Sequence, residues 1–228
     1  MRVLESLGSV TQKVTKTLAK EKIKRKFQHP LMVGIKVLGP GKILSQASGL
    51  IDDWFANDGQ ITKQPVRALT LSALAPQKGQ HLWDLGSGSG SIAIEWLLSG
   101  PSMKATAVEK NSIRAENINL NAAKLGVDWI EVIESDIMDA LNKLDRPDAV
   151  FIGGGFSAEL FAKIWEIIPA GTRLVVNGVT IETDRLIIDS AQNFGGQLLR
   201  FEYSQPKQIG GKSSWKASYP ITQWVVVR

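Results

Sequence analysis

The feature that most constrains this chain is the run Trp83-Asp84-Leu85-Gly86-Ser87-Gly88-Ser89-Gly90, which leads directly into the apolar stretch Ile92 to Leu98. An apolar strand and an apolar helix joined by three alternating glycines require a sharp reversal. Glycine permits it, because it tolerates positive φ and lets a ligand approach bare backbone where any Cβ would collide. Such a turn belongs to a parallel sheet with crossover helices. In the dinucleotide fingerprint the third glycine follows the second by three residues, whereas here it follows by two and Ser91 comes next. The plain alternative is a glycine-rich turn that holds no ligand.

The surrounding pattern carries the same architecture along the chain. Pro65 suits the first turn of a helix in which Val66, Leu69 and Ala73 share a face and which Pro76 ends. His81 to Leu85 is then the first strand. Further strands are expected at Lys104 to Glu109, Trp129 to Glu134, Ala149 to Gly153 and Arg173 to Asn177, and two closing strands at Gln197 to Tyr203 and Gln223 to Val227. Ala115, Ile118, Ala122 and Leu125 keep the spacing of a buried helical stripe, stopped by Gly126. The sum is a doubly wound α/β domain with a mostly parallel seven-stranded sheet over 58–228. Ahead of it, Arg2 to Phe27 has helical character, Leu31 to Leu38 reads as a short strand, and Gly39 to Asn57 carries turn signals. A short N-terminal extension (1–38) and a linker (39–57) are therefore expected.

Composition narrows the chemistry. Cysteine is absent, which removes disulfides, thiolate metal sites and Cys nucleophiles, and suits a reducing, cytoplasmic compartment. His29 and His81 are isolated in sequence and suggest no ligand set, so no metal is expected. No apolar run approaches the roughly 20 residues of a membrane span, and no membrane partner is expected. The net charge of +5 is uneven: residues 1–26 hold eight basic side chains against two acidic ones. The remainder is close to neutral, which argues against a nucleic-acid partner, since phosphate contacts call for a basic face.

The glycine spacing, with Asp84 just ahead, resembles motif I of class I S-adenosylmethionine-dependent methyltransferases. Glu109 ends the next strand 19 residues after Gly90, where a carboxylate can accept hydrogen bonds from both ribose hydroxyls of an adenosine. A solvent-exposed strand end is its plain alternative. After the third strand, class I enzymes hold adenine with one polar and one apolar residue; Asp136 and Ile137 are the candidates, with a helix cap and a core side chain as the alternative reading. Gly153, Gly154 and Gly155 follow the fourth strand, where enzymes that methylate base nitrogens usually carry an Asp/Asn-Pro-Pro-aromatic motif. They leave an open floor suited to a large flat acceptor.

Read with their flanks, these segments resemble one family. Asp58 to Lys63 with Val66 to Ala68, Trp83 to Ser91, Asp148 to Gly155, Asn177 to Thr183 and Pro220 to Trp224 are similar to the decarboxylating precorrin-6Y C5,15-methyltransferases of cobalamin biosynthesis. The resemblance implies S-adenosylmethionine as co-substrate and a precorrin as acceptor. It also implies methylation of carbon 15 with loss of the ring C acetate carboxylate, and a homo-oligomer, with a tetramer among the candidates. It places cofactor contacts on Thr62, on the loop Gly86, Ser87, Gly88, Ser89 and Gly90, on Glu109 and on Ile137; Asp84 and Asp136 join them from the class I pattern, and Gly153 to Gly155 remain the candidate acceptor floor. For Thr62 the alternative is a helix N-cap. Residues 1–38 are similar to the end of that family's tetrapyrrole methylase domain, so the chain is expected not to methylate carbon 5. Thr180 and Glu182, just after the fifth strand, are the candidates to position substrate or relay the decarboxylation proton; a helix cap and a dipole partner are the competing roles. Lys63, Arg67 and Lys212 are basic residues available for substrate carboxylates. The rival functions are a class I methyltransferase acting on RNA or protein, a nicotinamide-dependent oxidoreductase and a binding module without activity.

Overall fold

β-Branched residues, rather than helical spacing, govern the first segment of the chain. In the computed structural model, which describes residues 1–18, 20, 21, 24–38 and 43–228, this segment forms three short antiparallel strands in the order β2-β1-β3. They are β1 (Arg2–Glu5), β2 (Lys13–Lys16) and β3 (Leu31–Gly34). The helix expected over Arg2 to Phe27 is thus replaced by strands. Val3, Val14 and Thr15 favour a pleated surface, and Ser6 and Gly8 at φ +49 and +82 turn the chain between β1 and β2. Buried Glu5 receives the Arg25 guanidinium through two nitrogens at 2.8 and 2.5 Å. These strands lie in one unit, Met1–Leu44, and the rest of the chain forms a second, Ser45–Arg228.

The second unit is wound as α1 (Gln64–Leu74), β4 (His81–Leu85), α2 (Ser91–Leu98), β5 (Lys104–Glu109), α3 (Ser112–Leu125), β6 (Glu131–Glu134) and α4 (Ile137–Ala140). It continues as β7 (Ala149–Ile152), α5 (Ala158–Ile167), β8 (Arg173–Gly178), α6 (Ile181–Phe194), β9 (Gln197–Phe201), β10 (Ser204–Ile209), β11 (Lys212–Ala217) and β12 (Ile221–Val227). Its seven-stranded sheet has the order β6-β5-β4-β7-β8-β12-β9. β4 to β8 pair in parallel, and β12 enters antiparallel between β8 and β9. The strand order therefore reverses between β4 and β7, which opens a crevice at their carboxyl ends. Every residue of β4 and β7 is buried, as befits central parallel strands covered on both faces. Phe161 packs with Phe194 and Trp224 at ring separations of 4.8 and 5.3 Å, fixing α5 and α6 to β12. Among the described residues no helix is long and apolar enough to cross a membrane.

Three further expectations change. α1 buries Val66, Thr70, Leu71 and Leu74 together with Arg67, while Leu69 is exposed. The stripe is rotated because Arg67 is buried against Glu95 of α2, its Nε 2.5 Å from Oε1. The linker is shorter than expected: 39–42 lie outside the described residues, but from Ser45 the chain belongs to the second unit. The Gly49 and Leu50 N–H groups donate to the Glu95 carboxylate at 2.6 and 2.9 Å, and Ala56 exchanges two hydrogen bonds with the Asn121 side chain at 2.7 and 2.9 Å. Phe55 lies beneath the Arg67 guanidinium, 4.7 Å from its carbon to the ring centroid. The third change is an added hairpin, β10 with β11, paired from Ser204 opposite Ala217 to Ile209 opposite Lys212. Its signal was present, since Gly210-Gly211 is a two-residue hairpin turn.

Candidate active site

The crevice at the switch point is a cavity of about 1210 Å³, larger than the roughly 300–1,000 Å³ that holds one small ligand. Its first wall is the glycine loop after β4. The Gly86 and Ser87 N–H groups donate to the Val108 carbonyl at 2.9 and 3.1 Å, and the Gly90 N–H donates to the Ser87 carbonyl at 2.9 Å, so the turn is tied at both ends. Gly86, Gly88 and Gly90 all have positive φ, at +72, +59 and +74. A Cβ on Gly86 would stand 3.1 Å from the Gly154 carbonyl oxygen, and one on Gly90 would stand 2.7 Å from Cγ2 of Ile118. The first approach joins the loop to the floor after β7; the second seats α2 on α3.

β5 supplies the acid. Glu109 is buried, with Oε2 accepting from the Gly88 N–H at 2.8 Å and Oε1 from the Asn111 N–H at 2.9 Å. Each carboxylate oxygen has a second acceptor site, so these bonds aim the group while leaving capacity for ligand hydroxyls. Asp84 lies beneath the loop rather than in the cavity wall, as does Gly90. Asp84 is 1% exposed, and its Oδ2 accepts the Ala93 N–H at 3.1 Å. Burial pushes its carboxyl up to about 6, partly offset by hydrogen bonds from Ser87 and Ala93, and the nearby Glu109 charge adds to the rise. Asp84 Oδ1 and Ser89 Oγ are buried without a hydrogen-bond partner among the described residues. Unsatisfied polar atoms beneath a bare loop fit a site shaped for a polar, positively charged ligand.

The remaining candidates separate into two groups. Thr62, Ser87, Gly88, Ser89, Asp136 and Ile137 line the cavity, as do Gly153, Gly154 and Gly155. Asp136 also caps α4, accepting the Met138 N–H at 3.0 Å. Thr62 does not cap α1; Lys63 holds that position, and the Thr62 carbonyl accepts from Arg67. Thr180 and Glu182, by contrast, are exposed and do not line the cavity. Thr180 caps α6 by accepting the Thr183 N–H at 3.2 Å. Arg67 is fully buried among Glu95, Asp52 and the carbonyls of Leu50 and Thr62, which removes it from substrate pairing. Lys63 lies at the rim, 3.6 Å from Asp52, and Lys212 is outside the lining.

The structure adds residues that the sequence reading missed. Asn177, at the end of β8, lines the cavity and is held by Thr70 and Gln223 in a buried chain of hydrogen bonds at 2.8 and 2.9 Å. Tyr203, just before β10, and Lys207 on it, with Lys216 on β11 and Tyr219 just after it, also line the cavity. Partial burial raises the Tyr203 phenol, with a smaller contribution from the Asp52 charge, so it remains a donor at neutral pH.

The strand order, the antiparallel β12, the bare loop and the acid ending β5 define a class I methyltransferase fold. Known proteins narrow this further. The model of the precorrin methyltransferase domain matches residues 53–228. A precorrin-6Y C(5,15)-methyltransferase [decarboxylating] of a Sinorhizobium species is 43% identical over 98% of this chain, which spans about half, 55%, of that protein. A probable cobalt-precorrin-6B C(15)-methyltransferase (decarboxylating) of Pyrobaculum aerophilum is 36% identical over 76% of this chain and 92% of its own. The crystal structure of the C-terminal domain of precorrin-6Y C5,15-methyltransferase from Rhodobacter capsulatus superposes with a TM-score of 0.78 at 44% identity, covering 81% of this chain and all of that one. The chain belongs to the precorrin methyltransferase domain family.

Proposed function

We infer that this chain transfers a methyl group from S-adenosylmethionine to carbon 15 of a precorrin and removes the carboxylate of the ring C acetate. The observation that carries this reading is the meeting of the glycine loop and the glycine floor over one cavity. It is large enough for a nucleoside and a flat macrocycle together, and two of its segments, Trp83 to Ser91 and Asp148 to Gly155, belong to the family pattern. The relative from Pyrobaculum, which this chain nearly spans, bears a carbon-15 name and supports that half of the chemistry. The Sinorhizobium match extends across 98% of the chain, which supports kinship of residues 1–38 with the end of the methylase domain in that family.

When bound, the co-substrate supplies a methyl group already activated on a sulfonium. The chain's own task is to bind, align and exclude water. Glu109 accepts from the ribose hydroxyls; Asp136 and Ile137 flank the adenine; Gly86 to Ser89 admit the methionine portion against backbone. Gly153 to Gly155 let the acceptor lie close to the donor, because any side chain there would occupy its plane. Asp84 holds the start of α2 and sets the field under the loop.

The test uses a precorrin labelled in the ring C acetate carboxyl. Equal yields of S-adenosylhomocysteine and labelled carbon dioxide are expected. Turnover with RNA or protein but none with precorrin would overturn the reading.

A further inference from the structure

We propose that the β10–β11 hairpin is the acceptor-recognition element, with Lys207 and Lys216 receiving peripheral carboxylates of the macrocycle and Tyr203 and Tyr219 offering flat faces to its ring system. The proposal rests on the functional reading above and goes beyond it by assigning substrate selection to these four residues.

Register places the two lysines together. Lys216 pairs with Gln205 and Lys207 with Ser214, so the lysines are diagonal neighbours on one face of the ribbon, within about 8 Å of each other at Cβ. Both line the cavity, and neither has an ion-pair partner among the described residues. A pair of cations on a short ribbon without acids to balance them is poorly explained as a stabilising feature. It is well explained as a landing point for anions.

Outside the hairpin the lining mixes the acids Glu109 and Asp136 with the cations Lys63, Lys110 and Arg114, of which Lys63 and Arg114 are paired with Asp52 and Asp58; the lining residues of the hairpin include two lysines and no acid. The chain contains two tyrosines in all, and both line this cavity at the base of the hairpin. The two arms are joined there, the Ser218 N–H donating to the Tyr203 carbonyl at 2.7 Å and the Tyr203 N–H to the Ser218 hydroxyl at 3.1 Å. Aromatic rings at the base and ammonium groups farther along match an acceptor with a conjugated centre and an acidic edge.

The experiment compares the wild-type chain with Lys207→Met, Lys216→Met and the double variant, reading steady-state kinetics on precorrin and S-adenosylhomocysteine affinity by calorimetry. Methionine keeps an apolar stem, and both sites are exposed, so folding should be retained. Each single variant should raise KM for precorrin about three- to tenfold, and the double variant more, with nucleoside affinity unchanged. Salt should raise KM in the wild type and do so less in the double variant. Lys212→Met, on the hairpin but outside the lining, serves as the control and should behave as wild type. A wild type that turns over precorrin while the variants match it overturns the hairpin assignment alone. So does a loss of nucleoside affinity that equals the change in KM. A wild type inert toward precorrin overturns the functional reading, and this inference with it.

Discussion

The two walls of the cavity are built on opposite plans. On the glycine-loop side the polar groups are backbone and buried acids: the loop is tied to Val108, Glu109 is aimed by two N–H groups, and Asp84 is sealed beneath. On the hairpin side they belong to a two-stranded ribbon whose residues are all exposed. A fixed ligand is best met by groups whose positions are set before it arrives, because ordering them on binding would cost affinity. A large acceptor with several acidic arms is better met by long side chains reaching in from the edge. The glycine-loop side should therefore respond steeply to small changes, and the hairpin side gradually.

The largest effect is expected at Asp84. Its folded pKa of about 6 lies above the ordinary carboxylate value, so between pH 4 and 6 the folded protein keeps a proton that the unfolded chain has released. Its contribution is full below about pH 4 and is lost as pH rises through 6, to the extent of about 3 kcal/mol. Asp84→Asn keeps the acceptor for Ala93 and removes the titration. Denaturation midpoints at pH 4 and 7.5 should therefore converge in the variant relative to the wild type.

Gly86→Ala should come next. A positive φ and a Cβ 3.1 Å from the Gly154 carbonyl would force loop and floor apart. S-adenosylhomocysteine affinity should fall by about a hundredfold in calorimetry. Glu109→Gln should weaken the same affinity by about ten- to thirtyfold, since the amide offers one acceptor atom where two N–H groups and the ribose require more. Retained affinity in both variants would break the contrast between the walls.

Thr180→Ala probes a position outside both walls. It should lower stability by about 1 kcal/mol through loss of the α6 cap and leave kcat within about twofold. A large fall in kcat with stability intact would place Thr180 on the acceptor side after all.

Much of the glycine-loop wall was legible in the sequence because its requirements are local. Gly86, Gly88 and Gly90 answer a backbone demand that neighbouring residues impose, and Glu109 stands where a strand of the expected length ends. The same holds for the α3 stripe of Ala115, Ile118, Ala122 and Leu125, all buried as spaced. The hairpin wall was less legible. Gly210-Gly211 marks a hairpin, but nothing in the run around it says that its base lies over a cavity beyond β7.

What the sequence alone determined was the winding of the sheet and the glycine loop, since both follow from backbone geometry and apolar periodicity read over short spans. Only the tertiary structure decided which polar side chains are internal and which face the cavity. Arg67 became a buried strut because Glu95, 28 residues away, meets it across α1 and α2. Thr180 and Glu182 fell outside the cavity because α6 begins there with its cap exposed, while Lys207 and Lys216 entered it through pairing between strands. A side chain's partner depends on where distant segments cross, and that information is distributed over the whole fold.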